Sequence, residues 1–244
     1  MDVGGARVAF TDRRGGVSAP PYDSLNLGEV PHEGSPDDPA ALAANRRVAA
    51  EFLATGGGPE AWVPIRQVHG TGVAVCDRVD GVPRRADADA VVVTVPGRTG
   101  VILTADCAPV AVVAAGGVAA IHGGWRGLLA GVVSEGVDAL RRAAGNPARA
   151  VLGACIRPCC YEFGVADLDT VAARFGPEVR STTRSGAPAL DVPAVVRSAL
   201  SECGVAEVLD LGVCTACSPD SFSFRRDGVT GRQALLIAWT GAWP

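Results

Sequence analysis

VILTADCAPVAVVAAGGVAAIHGGWRGLLAGVVSEGVDALRRAA, residues 101–144, changes its apolar period partway along, and that change sets the fold class. The first part holds short Val- and Ile-rich runs at 101–104, 110–114 and 118–121, each bounded by Gly, Pro or Asp, the pattern of buried strands. From residue 128 to 144 the apolar residues recur at helical spacing. Arg141 and Arg142 complement the C-terminus of that helix, and Gly145-Asn146-Pro147 ends it. Outward from this stretch, strands are predicted at 7–11, 62–68, 73–76 and 90–94, and a helix at 39–54 with Asp37 or Asp38 as its cap and Pro39 in its first turn. Beyond it come a strand at 150–154, helices at 166–175 and 192–203, a strand at 207–212, and a terminal hairpin around Asp227-Gly228. Strands and helices alternate with no linker or break in composition. One α/β domain with mixed sheets is therefore expected over residues 1–244.

Apolar residues make up 48% of the chain and the mean hydropathy is +0.24, enough for a large core and far from the composition of disorder. A net charge of −4 provides no basic field for nucleic acid or an anionic membrane. No run reaches the roughly 18 apolar residues of a membrane span. The opening residues lack a secretory pattern and the eight cysteines are irregularly spaced, so a cytoplasmic chain with reduced thiols is expected. All 22 positive charges are arginine, which we read as compositional drift; the choice of Arg over Lys carries no information at any single position.

The chemistry concentrates in Gln67-Val68-His69-Gly70, Thr104-Ala105-Asp106-Cys107 and Ile121-His122-Gly123-Gly124-Trp125-Arg126-Gly127. Two of only three histidines lie here at strand ends beside glycine, with a cysteine in the same kind of setting between them. Neutral imidazole and thiolate are ligands that Zn²⁺ prefers, and three protein donors with a fourth position open mark a catalytic site. His69, Cys107 and His122 are thus the expected metal ligands, and Asp106 offers a carboxylate for support or proton transfer. Arg126, at the start of the following helix, favours an anion.

Other residues have plainer readings. His32 sits in a Pro, Glu, Gly, Ser loop and reads as solvated surface, and Cys76, Cys155 and Cys203 read as inert thiols beside apolar strands. Cys214-Thr215-Ala216-Cys217 has the spacing of a zinc knuckle, but no second such pair accompanies it, so it is not expected to function. The nucleobase-deaminase signature is absent, since Gly70-Thr71 follows His69 and Pro158-Cys159-Cys160 lacks the spacing.

Segments 11–28, 67–70, 104–107, 121–127 and 222–232 together resemble the bacterial laccase-domain family, whose members are described as polyphenol oxidases, purine nucleoside phosphorylases and peptidoglycan editing factors. The likeness spans nearly the whole chain in the same order. The fold it implies is α/β (α+β), with mixed sheets covered by helices in the layer order α/β/β/α. His69, Cys107 and His122 match the family's zinc ligands, with Cu²⁺ as the alternative ion; three histidines are too few for the multicopper chemistry of the family label.

The resemblance also implies phosphorolysis of adenosine, inosine and methylthioadenosine at Cys107, His122 and Asp106, with adenosine deamination as a second activity. Its partners would be a purine nucleoside and phosphate. Phosphorolysis needs phosphate held below C1′ by cations or N–H donors, whereas deamination needs water acidified by the metal. Ser18, Asn26, Asn45, Arg46 and Gln67 are the expected polar contacts to substrate, and Arg225 and Arg226 the completion of an anion pocket, although strand alternation would turn one of these two to solvent. Alternative activities are cleavage of an amide in a peptidoglycan precursor, hydrolysis by a Cys107–His122 nucleophile pair, and single-copper polyphenol oxidation.

Overall fold

In the computed structural model, which describes residues 1–29, 35–54, 57–79 and 85–241, the central strands are buried on both faces and so read as continuous apolar runs. His32 lies outside the described residues. A six-stranded sheet runs in the order Glu207–Asp210, Pro147–Leu152, Ala108–Ala114, Gly117–Gly123, Ala90–Val93, Val73–Cys76. Its outermost pairs are parallel and its inner pairs antiparallel, which makes the sheet mixed. A four-stranded antiparallel sheet runs Asp2–Val3, Ala6–Phe10, Gln233–Trp239, Gly100–Thr104.

The period of two along a strand sorts its side chains between two cores. Of the strand Ala108–Ala114, Ala108, Val110, Val112 and Ala114 join the core under the helices, whereas Ala111 and Val113 join the core between the sheets. Ala6, Val8, Ile102, Leu235 and Ile237 meet them from the four-stranded sheet. The outer face of that sheet, with Ala9, Val101, Leu236 and Ala238, packs on Ala49 and Leu53 of helix α1 (Pro39–Leu53). Helices α2 (Trp125–Ala130), α3 (Val132–Ala144), α4 (Val165–Phe175) and α5 (Val192–Glu202) cover the far face of the large sheet through Leu128, Val137, Leu140, Leu168, Val171, Val196 and Leu200. The layer order is α/β/β/α, as the resemblance implied.

Asp38 caps α1 by accepting from the Ala40 amide, with Pro39 at the first helical position. The single helix expected over 128–144 is instead two, because Gly131 at φ 100° closes α2 with a left-handed turn before α3 begins. Apolar periodicity continues across the break and hides it. The strand expected at 62–68 shrinks to Ile65–Arg66, since Pro64 has no amide to donate and Pro59–Ala61 forms a 3₁₀ turn.

The hairpin at Asp227-Gly228 is also overturned. Ser223 accepts from the Arg226 amide and caps a short helix α6 (Phe224–Asp227), after which Gln233–Trp239 pairs with strands from the first half of the chain. No described helix is long and apolar enough to cross a membrane.

Candidate metal centre

Cys107 lies in the turn where the chain leaves the four-stranded sheet at Thr104 and enters the six-stranded sheet at Ala108. Asp106 makes that turn with φ 108°, a left-handed conformation that non-glycine residues rarely adopt. His122 is one step inside the strand Gly117–Gly123, opposite Pro109. His69 follows Ile65–Arg66 and has φ 60°. Three separate stretches thus deliver one side chain each to a single point, with the donor atoms of His69, Cys107 and His122 all within 4.8 Å of one another. Cys107 Sγ and His69 Nε2 are 3.8 Å apart, and the two imidazoles meet edge to face at 4.8 Å between centroids.

Asp89, which the sequence reading passed over, organises this set. It is completely buried, and its Oδ1 accepts from His122 Nδ1 at 2.7 Å and from the His69 amide at 2.9 Å. Its Oδ2 accepts from the amides of Val68 at 3.2 Å and Gly70 at 2.7 Å. Burial pushes this carboxyl up, but the His122 hydrogen bond and those of the Gly70 and Val68 amides outweigh it and hold Asp89 below the usual carboxylate range. One carboxylate therefore fixes the tautomer of His122, leaving its Nε2 for a ligand, and holds the strained loop that carries His69. In the sequence Asp89 stands in Ala86-Asp87-Ala88-Asp89-Ala90, which reads as a plain strand boundary; nothing local separates it from Asp87.

A metal fits these residues. The donors are the soft and borderline set that zinc prefers, a tetrahedral ion with ordinary Zn–S and Zn–N bonds spaces its sulfur and nitrogen ligands about 3.5 Å apart, and the carboxylate behind His122 is the usual support of a metal-binding imidazole. Without an ion the set neutralises itself. Burial pushes the Cys107 thiol up, but the charge of His122 and hydrogen bonds from His122 and His69 bring it down to about 6. Burial lowers His122, but the Cys107 charge and the Asp89 hydrogen bond raise it to about 9.

The sign of the pH dependence follows. Between about pH 6 and 9 Cys107 is already thiolate while His122 still carries the proton that an ion must displace. Metal binding in that window should release about one proton and tighten about tenfold per pH unit. Below about pH 6 the thiol must lose its proton too, and the dependence steepens. Calorimetric zinc titrations in buffers of different ionisation enthalpy measure the proton count; binding near pH 7.5 with no proton release would contradict the assignment.

Gly124 is part of the geometry. A Cβ there would lie 2.4 Å from His69 Cδ2 and 3.5 Å from Cys107 Sγ, so only glycine lets the start of α2 pass this close to the ligands. We expect Gly124→Ala to displace His69 and weaken zinc binding at least about tenfold while the melting temperature changes little, since the Cβ meets a side chain at the surface of the site. Unchanged affinity in the folded variant would count against the set.

The remaining expected site residues divide. Asp106 does not extend toward the ligands: its Oδ1 accepts from Thr215 Oγ1 at 2.6 Å and its Oδ2 from the Arg225 amide at 2.7 Å. Asn45 is completely buried, donates to Ser18 Oγ and the carbonyls of Ser24 and Asn26, and accepts from the Val17 amide. Asn26 in turn accepts from the amides of Gly28 and Arg232. These three side chains lace the 11–28 segment to α1 and to the start of the last strand. Gln67 exchanges two hydrogen bonds with the backbone of Leu103, Arg46 binds the Leu27 carbonyl and Glu29, and Arg226 binds Asp227 and the carbonyls of Thr215, Ser218 and Ser221.

Arg225 and Arg226 belong to a helix, so the strand alternation expected for them does not apply. Arg225 covers the Tyr161 ring at 4.8 Å, and Arg126 covers Trp125 at 4.5 Å. Because α2 has only 6 residues, the anion reading of Arg126 rests on its guanidinium and not on a helix dipole. Arg232, absent from the sequence-derived set, is half-buried and feels the charges of Cys107 and Asp106. Neither Arg126 nor Arg232 has a carboxylate at ion-pair distance among the described residues.

The fold and site define a mixed α/β protein whose sheet crossing carries a His, Cys, His donor set that fits a metal. The chain belongs to the family described as multi-copper polyphenol oxidoreductase laccase, whose model matches residues 7–240. It is 43% identical over 242 residues to a purine nucleoside phosphorylase of Streptomyces coelicolor, covering 96% of each chain. It is 37% identical to the purine nucleoside phosphorylase YfiH of Escherichia coli, over 96% of this chain and 93% of that one. Among solved structures it is similar to YfiH of Bacillus licheniformis, with TM-score 0.84 and 29% identity over 96% of this chain and 92% of that one. It is also similar to YlmD of Geobacillus stearothermophilus, with TM-score 0.83 and 32% identity over the same shares.

Proposed function

We propose that this chain is a zinc-dependent purine nucleoside phosphorylase that acts on adenosine, inosine and methylthioadenosine and also deaminates adenosine. The convergence of His69, Cys107 and His122 on one point, held by Asp89, is the observation that carries this reading. Relatives named purine nucleoside phosphorylase along nearly the full length support the substrate class. His69, Cys107 and His122 would hold a zinc ion, which would supply a Lewis acid.

The chain's own residues supply the rest. Arg232 and Arg126, which have no carboxylate at ion-pair distance among the described residues, hold the phosphate, one oxygen of which attacks C1′ as the bond from C1′ to the purine nitrogen breaks. The electron pair of that bond leaves with the base, which takes up a proton, and the products are free purine and ribose 1-phosphate. Asp106 acts as a positioning residue by tying Thr215 and the start of α6 to the turn that carries Cys107. Tyr161, pushed up to about 12 by burial and by the Cys107 charge, stays a neutral phenol beside the site.

The test is release of hypoxanthine from inosine by the zinc-loaded protein. It should require inorganic phosphate, whereas ammonia release from adenosine should not, because water is then the nucleophile. Failure to release hypoxanthine with phosphate present would remove the phosphorylase reading, and cleavage of a muramyl amide by the same preparation would put the amidase in its place.

A second reading has its own support: Cys107, His122 and Asp89 are in the order of a thiol nucleophile, its base and the carboxylate that orients it. The approach of His69 to the same sulfur favours coordination, since a nucleophile pair needs only one imidazole. A substrate adduct on Cys107 seen by mass spectrometry during turnover would reverse that preference.

A further inference from the structure

Four of the eight cysteines meet at a second point. Cys159 and Cys160 stand side by side in the 3₁₀ turn Pro158–Cys160, and Cys214 and Cys217 in the turn that follows the strand Glu207–Asp210. Their sulfurs all lie within 4.8 Å of one another, with Cys160–Cys217 at 3.3 Å, Cys159–Cys217 at 3.6 Å and Cys159–Cys214 at 3.7 Å. The missing partner of Cys214-Thr215-Ala216-Cys217 is thus a directly adjacent pair, Cys159-Cys160, which no spacing rule for knuckles would select.

These separations are well beyond the ~2.05 Å of a disulfide and close to the ~3.8 Å edge of a tetrahedron of thiolates about one zinc ion. The backbone around the sulfurs is ordered by its own hydrogen bonds. Cys155 and Cys214 form a parallel bridge, the Thr215 amide donates to the Cys155 carbonyl at 3.1 Å, and the Ser218 amide donates to the Cys214 carbonyl at 2.9 Å. On the other side the Cys160 amide donates to the Arg157 carbonyl at 2.9 Å and the Arg184 amide to the Cys159 carbonyl at 3.2 Å. Clustering of thiols by burial alone does not explain the set. The fully buried Cys155 is not a member, while Cys217 is exposed.

We propose that Cys159, Cys160, Cys214 and Cys217 hold a structural Zn²⁺, distinct from the metal of the His69, Cys107, His122 set. All four positions are thiol sulfur and none is left open, the donor set of a closed tetrahedral site. As the four Zn–S bonds form, the thiol protons pass to solvent and the centre carries two negative charges. The ion joins the segment 155–163 to the turn 213–218, and both segments reach the first site: the Ile156 amide donates to the Asp106 carbonyl at 2.8 Å and Thr215 Oγ1 to the Asp106 carboxylate at 2.6 Å. It therefore braces the turn that presents Cys107.

Metal analysis and X-ray absorption test this on full-length protein purified without chelators from zinc-supplemented cells. Wild type should hold about two Zn²⁺ per chain, and Cys107→Ala should keep about one, with a shell of sulfur alone near 2.3 Å. In the Cys214→Ser, Cys217→Ser double variant, if it folds, the content should fall to about one, with mixed nitrogen and sulfur ligands. Cys107→Ala protein that stays metal-free after zinc addition would overturn the proposal, whatever the double variant does. So would intact masses, after alkylation under denaturing conditions, showing these cysteines joined as disulfides in freshly purified protein.

Discussion

Replacing Cys107 with alanine should lower phosphate-dependent cleavage of inosine by about a thousandfold or more, as when an interaction specific to the transition state is removed. Adenosine deamination should fall with it. The thiolate is the one anionic donor of the set, and without it two imidazoles remain, one exposed to solvent and one tied to Asp89. Cys107 is partly exposed in a turn, so the change leaves no large cavity in the apolar core, and the far-ultraviolet circular dichroism should be that of wild type. Single-turnover assays in the presence of added zinc measure the loss. Activity within about tenfold of wild type would separate Cys107 from the chemistry.

Asp89→Ala should be the most damaging change that touches no substrate. It removes a fully buried carboxylate and leaves the part-buried amides of Val68, His69 and Gly70 and the buried Nδ1 of His122 without their acceptor. Breaking a buried charged pair costs about 3–5 kcal/mol, which in a chain of this size lowers the melting temperature by roughly 10 °C. Zinc affinity should drop about 10- to 100-fold as the imidazole loses its fixed tautomer and the His69 loop its anchor. Thermal melts and competitive zinc titrations read the two effects separately. Wild-type values in both would mean that Asp89 fills a gap and does not organise the centre.

How much of this was legible in the chain depended on whether the signal was local. His69, Cys107 and His122 stood out because histidine is rare here and each of the three follows an apolar run at a glycine or a turn. The cap at Asp38 and the helix at Val192–Glu202 rest on neighbours in sequence and came out within a residue or two. Asp89 and Arg232 did not stand out, because what distinguishes them is the company they keep from residues 19 or more positions away. Ser18, Asn26 and Asn45 were conspicuous for their type, yet the fold binds them to one another. The last strand was misread for a related reason: Gln233–Trp239 pairs with Ala6–Phe10 and Gly100–Thr104, so no turn nearby announces its partner.

The position of Cys107 at the crossing between the two sheets has a consequence for the protein as a mechanical object. Its sulfur rides on the turn that joins the sheets, while the nitrogen of His122 belongs to the interior of one of them. An ion shared by the two would act as a rivet through the stack, and its affinity would be a gauge of how the layers are aligned. A change of volume between the sheets, at Val113 or Ile237 for instance, can alter metal retention without altering a single ligand.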